Sequence, residues 1–404
     1  MPDRIPVLKA TDMKHMLPSG RLIEATAALQ RMLGGHRAPT GATAGTKHAL
    51  SAESKSGARI GRFPFSATNS TLQPTIPEEL SGFLDRISNR GFQLPAGIQY
   101  QSTPIQAPLV LPDGARFLDA TFSNHAGSRP YKLYVPSSYR PGEPVPLVVM
   151  LHGCTQSPED FAAGTCMNEA AEEHTCLVAY PGQTSSANMQ KCWNWFNEGD
   201  QQRDRGEPSL IAGITREIMH KYAVNPRCVY VGGLSAGGAA AAIMGDAYPD
   251  LYAAIGVHSG LACGSARDMT SAFAAMQRGN DGCTHRAGRT LARIVPAIVF
   301  HGDRDTTVNP KNGQAVVVQS GQTTALRSHV EKGQVPGGHA FSRTLYKDTN
   351  GRTVIEQWIV HGAGHAWFGG STVGTYTDPR GPDATREMLR FFREHPHPTA
   401  TEGV

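Results

Sequence analysis

The sequence predicts an α/β fold, with a mostly parallel central sheet and helices on both faces. Three observations carry that expectation. From about residue 115 onward, strand-like and helix-like segments alternate, the pattern of parallel strands joined by helical crossovers. Pro146-Leu147-Val148-Val149-Met150-Leu151 is a continuous apolar run, as a strand buried on both faces requires. Cys228-Val229-Tyr230-Val231 leads through Gly232-Gly233-Leu234-Ser235-Ala236-Gly237 into an alanine-rich, proline-free stretch ending at Ala247, which reads as strand, tight turn and helix.

Taken in order, residues 19–33 place Leu22, Ile23, Thr26, Leu29, Met32 and Leu33 on one face of a short helix that Gly34-Gly35 would stop. Residues 36–78 are rich in Gly, Ser, Thr, Ala and Pro without apolar periodicity, the composition of a flexible linker. A second short helix is expected from Glu78 to Ile87. The organisation that follows is an N-terminal helix over 1–35, an extension over 36–100 and a main domain over 101–404. Within the main domain, Ala115 to Ser123 and Pro130 to Pro136 read as a hairpin. Pro158 to His174 reads as helix, Thr175 to Tyr180 as strand and Leu210 to Tyr222 as helix. Strands are expected at Ala253 to His258 and Ala297 to His301, with a helix over 312–320. A turn at Asn350-Gly351 joins Phe341–Lys347 to Thr353–Val360, and Ala384 to His395 closes the chain as a helix.

Of the 404 residues, 39% are apolar and 18% charged, ordinary values for a soluble globular chain. No apolar run reaches the length of a membrane span, so no integral membrane contact is expected. The first residues, MPDRIPVLKATDMKHML, lack the apolar core of a secretory leader, which makes the cytoplasm the expected location and leaves secretion open. The net charge of +4 is uneven, with ten Lys/Arg against four Asp/Glu in residues 1–74. That excess belongs to the extension, so nothing in the main domain suggests nucleic acid as a partner. Seven cysteines, at 154, 166, 176, 192, 228, 263 and 283, lack the paired spacing of a zinc site. Most read as buried thiols, and Cys154 with Cys192 and Cys263 with Cys283 are the pairs to inspect.

The chemistry centres on Ser235. Gly233-Leu234-Ser235-Ala236-Gly237 fits G-x-S-x-G, in which small neighbours admit a strained turn that exposes the serine. A serine hydroxyl is a weak nucleophile near neutral pH, so it needs a base and a group that fixes the base's tautomer. Two later stretches supply them. His301-Gly302-Asp303-Arg304-Asp305 follows a buried strand and offers Asp305 as the acid, with Asp303 the alternative. His361-Gly362-Ala363-Gly364-His365 follows the last strand and offers His365 as the base, with His361 the alternative. The oxyanion formed on attack needs two N–H donors, one from Ala236 and one from the loop His152-Gly153-Cys154, where Cys154 is preferred and Gly153 is the rival. Trp193 and Trp195, in Cys192-Trp193-Asn194-Trp195-Phe196, together with Trp367 beside the proposed base, read as walls of a substrate cleft. No cofactor or metal is required.

LHGCTQ at 151–156, DFAAGTCMN at 160–168, CWNWF at 192–196, GLSAGG at 233–238, HGDRDTTV at 301–308 and GAGHAWFGG at 362–370 together resemble the poly(3-hydroxybutyrate) depolymerase-like esterases. The resemblance spans about residues 115–395 and implies an α/β-hydrolase fold. It also implies Ser235, Asp305 and His365 as a catalytic triad and the Cys154 loop as oxyanion contributor. The substrates it implies are polyesters of the 3-hydroxybutyrate type or their oligomers, with feruloyl or acetyl esters of plant cell walls as the alternative. A polymer-granule surface is the partner it offers the basic N-terminal arm, against simple solvation of that arm. The polymer-binding domain and leader of secreted members are not apparent in the sequence.

Overall fold

The alternating segments assemble into a ten-stranded sheet in a computed structural model that describes residues 111–279, 295–321 and 325–398. The expected helix over 19–33, the linker and the helix from Glu78 to Ile87 lie outside the described residues, as does Cys283. Strands β1 (Arg116–Asn124) and β2 (Gly127–Val135) form the predicted hairpin. They are followed by β3 (Val145–Leu151), β4 (Leu177–Pro181), β5 (Val224–Leu234), β6 (Ala254–His258) and β7 (Ala297–Gly302). Then come β8 (Arg327–Gln334), β9 (Ala340–Lys347) and β10 (Thr353–Val360), and a separate short pair, β11 (Trp367–Phe368) with β12 (Thr377–Asp378). The sheet order is β1-β2-β4-β3-β5-β6-β7-β10-β9-β8. Its central strands, β4 through β10 in that order, run parallel, and antiparallel strands extend it on both sides.

Helices cover both faces, as the pattern predicts. They are α1 (Pro158–Thr165), α2 (Met167–His174), α3 (Gly206–Lys221), α4 (Ala236–Ala247), α5 (Met269–Arg278), α6 (Lys311–Gly321) and α7 (Ala384–Glu394). Alternate side chains of each strand feed opposite cores, because successive Cβ atoms in a strand point to opposite sides. Leu147, Val149 and Leu151 pack with Ile211 and Ile214 of α3, the alanines of α4 and Val316 of α6. Val148 and Met150 pack with Phe161 of α1, Ala171 of α2 and Met388, Phe391 and Phe392 of α7.

Three differences from the sequence expectation have local causes. The helix expected over 158–174 is two helices, because Cys166 turns left-handed at φ +54 and ends α1. Strand β8 was not expected, since RSHVEKGQ is largely exposed and carries no apolar period to read. Helix α5 was missed as well; it starts on a capping box between Asp268 and Ser271, a signature that stabilises a helix end independently of apolar patterning.

Candidate active site

The loops that follow β3, β5, β7 and β10 meet at the C-terminal edge of the parallel strands, because these strands share a direction and lie near one another in the sheet. Open α/β sheets bind ligands at this edge. Ser235 stands between β5 and α4 at φ +58 and ψ −118, a conformation that costs a non-glycine residue on the order of 1–3 kcal/mol. Its neighbours permit the turn. A Cβ on Gly237 would lie 1.9 Å from the Leu151 carbonyl oxygen, and one on Gly233 would lie 2.4 Å from that of Gly237. The Ser235 amide donates to the His258 carbonyl at 2.9 Å, which pins the turn to β6. Among the described residues the Ser235 hydroxyl makes no hydrogen bond and is left half-buried at the surface of the turn.

Asp305 and His365 meet. The His365 Nδ1–H donates to Asp305 Oδ2 at 2.7 Å, with side-chain exposures of 8% and 0%. The other carboxylate oxygen, Oδ1, accepts from the backbone N–H groups of Thr307 at 2.9 Å and Val308 at 2.8 Å. Burial alone would raise the Asp305 carboxyl, but the imidazoles of His365 and His301 outweigh it and hold this group far below the usual carboxylate range. Asp305 therefore stays ionised and accepts from Nδ1–H, which leaves His365 Nε2 as the ring nitrogen open to another partner. Nε2 has no partner among the described residues, and the Ser235–His365 hydrogen bond itself is not formed. Such contacts commonly tighten only when substrate is bound.

The alternatives from the sequence pair with each other. His361 Nδ1 lies 3.0 Å from Asp303 Oδ2 and its Nε2 lies 2.9 Å from the Ser342 hydroxyl. This set is exposed, at 44% for His361 and 37% for Asp303, and Ser342 lies within β9 rather than on a turn.

The same geometry separates the two oxyanion candidates. The Gly153 N–H is already donated to Gln156 Oε1 at 2.9 Å. The N–H groups of Cys154 and Ala236 have no partner among the described residues. The Cys154 loop lies against Ser235, since a Cβ on Gly153 would sit 3.6 Å from that of Ser235. A disulfide joins Cys154 to Cys192 across 38 residues, and a closed loop of that length removes about 4 kcal/mol of freedom from the unfolded chain. Two hydrogen bonds reinforce the clamp, from the Thr155 N–H to the Gln190 carbonyl at 2.7 Å and from the Trp193 indole to the His152 carbonyl at 3.1 Å.

The sequence profile of the family described as esterase PHB depolymerase matches residues 129–328, a span that includes the Cys154 loop, Ser235 and Asp305. The chain is 33% identical over 285 residues, 68% of its length, to a poly(3-hydroxyalkanoate) depolymerase C of Paucimonas lemoignei. It belongs to the PHB depolymerase-like esterase family. It is also 30% identical over 203 residues, 45% of its length, to a probable acetylxylan esterase A of Aspergillus clavatus. The chain spans 66% and 62% of the lengths of these two relatives. An acetyl xylan esterase structure from Aspergillus awamori is similar to it at a TM-score of 0.54 and 19% identity, covering 69% of this chain and 99% of that one. The fold is that of an α/β-hydrolase.

In this family member the three tryptophans do not line a cleft, contrary to the sequence expectation. Trp193 is 0%, Trp367 1% and Trp195 6% exposed, which leaves no face for a substrate. Each is accounted for in the core. The Trp193 indole holds the Cys154 loop through the His152 carbonyl, the Trp367 indole donates to the Thr385 hydroxyl at 2.9 Å, and Trp195 packs edge-on to Phe196. The large apolar rings outweigh the polar residues beside them in sequence.

Sequence reasoning gave no role to His258. Its carbonyl holds the Ser235 amide, its Nε2 accepts from the Phe368 N–H at 3.2 Å, and its ring stacks on Trp367. It thus ties the serine turn to the segment that follows His365. Burial, reinforced by the His301 and His365 imidazoles, pushes its pKa well below the ordinary value. The only sequence signal was its position at the end of a buried strand.

His152 is a second buried neutral imidazole, pushed from 6.5 to about 4 by burial. Its Nε2 accepts from the Gln183 N–H at 3.0 Å, which a protonated ring could not do. The folded pKa lies below the unfolded one, so the unfolded chain binds the extra proton and stability falls as pH drops through this interval. Between pH 6.5 and pH 4 the group should remove about 3 kcal/mol. Urea unfolding across that range measures the slope, and His152→Gln should flatten it.

Proposed function

We propose that the protein is a serine esterase that cleaves poly(3-hydroxybutyrate)-type polyesters or their oligomers through an acyl-enzyme. The observation that carries the reading is the buried Asp305–His365 pair at the same sheet edge as a strained, half-buried serine, beside two N–H groups that have no partner among the described residues. In the first step Ser235 Oγ bonds to the ester carbonyl carbon while His365 Nε2 takes its proton. The carbonyl oxygen, now an oxyanion, accepts from the Cys154 and Ala236 N–H groups. Collapse breaks the bond to the alcohol oxygen, which takes the proton from His365 and leaves as a hydroxyl-ended fragment. Water then attacks the acyl-Ser235 carbonyl while His365 takes its proton, and the acyl C–Oγ bond breaks as that proton passes to Ser235 Oγ, releasing the carboxylic acid and restoring the serine.

The poly(3-hydroxyalkanoate) depolymerase relative, which matches more of the chain than the acetylxylan esterase relative does, favours hydroxyalkanoates over acetyl esters. The acetylxylan relative supports the second reading, an acetyl or feruloyl carboxylesterase. Amorphous poly(3-hydroxybutyrate) granules, 3-hydroxybutyrate trimers, acetylated xylan and methyl ferulate should be compared under one set of conditions. Release of 3-hydroxybutyrate at a kcat/KM at least tenfold above that for the acetyl and feruloyl esters is expected, and the reverse order would replace the first reading with the second. The Cys154–Cys192 disulfide supports an oxidising compartment, against the cytoplasmic expectation.

A further inference from the structure

Gln156 lies two residues beyond Cys154 and is 2% exposed. Every polar atom of its amide is occupied. Oε1 accepts the Gly153 N–H at 2.9 Å, while Nε2 donates to Asp160 Oδ2 at 2.9 Å and to the carbonyl and hydroxyl oxygens of Thr375 at 3.2 Å each. The orientation of the amide is fixed by its partners, because the Gly153 N–H can only donate and the Asp160 carboxylate and Thr375 carbonyl can only accept. Asp160 in turn accepts from the Thr375 N–H at 2.9 Å and sits in the first turn of α1, which Ser157 caps. Gln156 thereby joins three pieces of chain: the oxyanion loop, the start of α1 and the segment between β11 and β12, which follows His365.

We infer that Gln156 is a positioning residue for the oxyanion hole. By taking the Gly153 N–H it turns that peptide away from the site, leaving the next N–H, that of Cys154, as the loop's donor. By holding Asp160 and Thr375 with its other end it fixes the loop against the base-side segment. The disulfide anchors the Cys154 side chain to the segment that carries Cys192, so the peptide is held by two separate attachments. An oxyanion donor acts mainly in the transition state, where the charge develops. Loss of Gln156 therefore lowers kcat and leaves KM little changed.

This inference rests on the esterase reading, and the experiment separates the two. Wild type, Gln156→Ala and Gln156→Glu are compared on p-nitrophenyl butyrate, with inhibition by a boronic acid that forms a tetrahedral adduct on the serine. At pH 8 both variants should lose ten- to a hundredfold in kcat with KM within threefold, and boronate affinity should weaken by a similar factor. Glutamate carries the second signature. Ionised, it repels Asp160; protonated, it donates to Asp160 and still accepts from Gly153, as the amide does. The activity of Gln156→Glu relative to wild type should therefore climb at least fivefold between pH 8 and pH 5.5, while that of Gln156→Ala stays level. If Gln156→Ala does not fold, the glutamate ratio and its boronate affinity decide. A kcat within threefold of wild type in both variants, or a glutamate ratio flat with pH, overturns the inference and leaves the esterase reading standing. A wild-type chain inactive on every ester overturns both.

Discussion

Ser235→Ala is expected to lower turnover of a soluble ester by roughly a millionfold, because base, acid and oxyanion donors have no oxygen nucleophile left to serve. Initial rates on p-nitrophenyl butyrate measure it. Residual activity within a hundredfold of wild type would move the nucleophile elsewhere. The turn adds a second, opposite effect. At φ +58 a side chain is strained whichever one it is, so alanine gains nothing in stability, whereas Ser235→Gly should unfold at higher denaturant by about 1–2 kcal/mol while remaining inactive. Strain retained at a position that glycine would relieve is the mark of a residue kept for its chemistry.

Asp305→Asn is expected to cost about ten thousandfold in kcat, and Asp303→Asn less than threefold. The difference follows from which oxygen is already committed. Oδ1 of Asp305 accepts two backbone N–H groups, from Thr307 and Val308, so the amide oxygen of an asparagine settles there and its NH2 group turns to His365. That forces the imidazole to present a bare Nδ1, moves the proton to Nε2 and removes the base. Among the described residues the Asp303 side chain faces only the exposed His361 and the Gly362 N–H. Steady-state kinetics of the two variants, with thermal melts to confirm folding, decide between them. Equal losses would mean that the buried pair is structural.

Much of the fold was legible because its signals are local. Runs such as Pro146 to Leu151 have no alternation to suit a half-exposed strand, and glycines at 233 and 237 are demanded by backbone atoms less than 3 Å from where their Cβ would be. The elements without a local apolar signal were missed. Strand β8 lies in the antiparallel extension of the sheet, where largely exposed faces ask for no hydrophobic pattern. The tryptophans failed for the opposite reason. Their polar neighbours in sequence suggested a cleft, but burial depends on what the chain brings from elsewhere, here the Cys154 loop over Trp193 and Thr385 over Trp367.

The sequence by itself determined the family, the kind of sheet and the serine turn, since motif order and backbone sterics act over a few residues and leave their mark in residue type. Only the tertiary structure decided which aspartate meets which histidine, which of two adjacent N–H groups is left without a partner among the described residues, and that Gln156 and His258 tie distant loops together. Those outcomes depend on burial and on hydrogen bonds between segments up to 219 residues apart, and a group's partner at that range is set by the path of the whole chain.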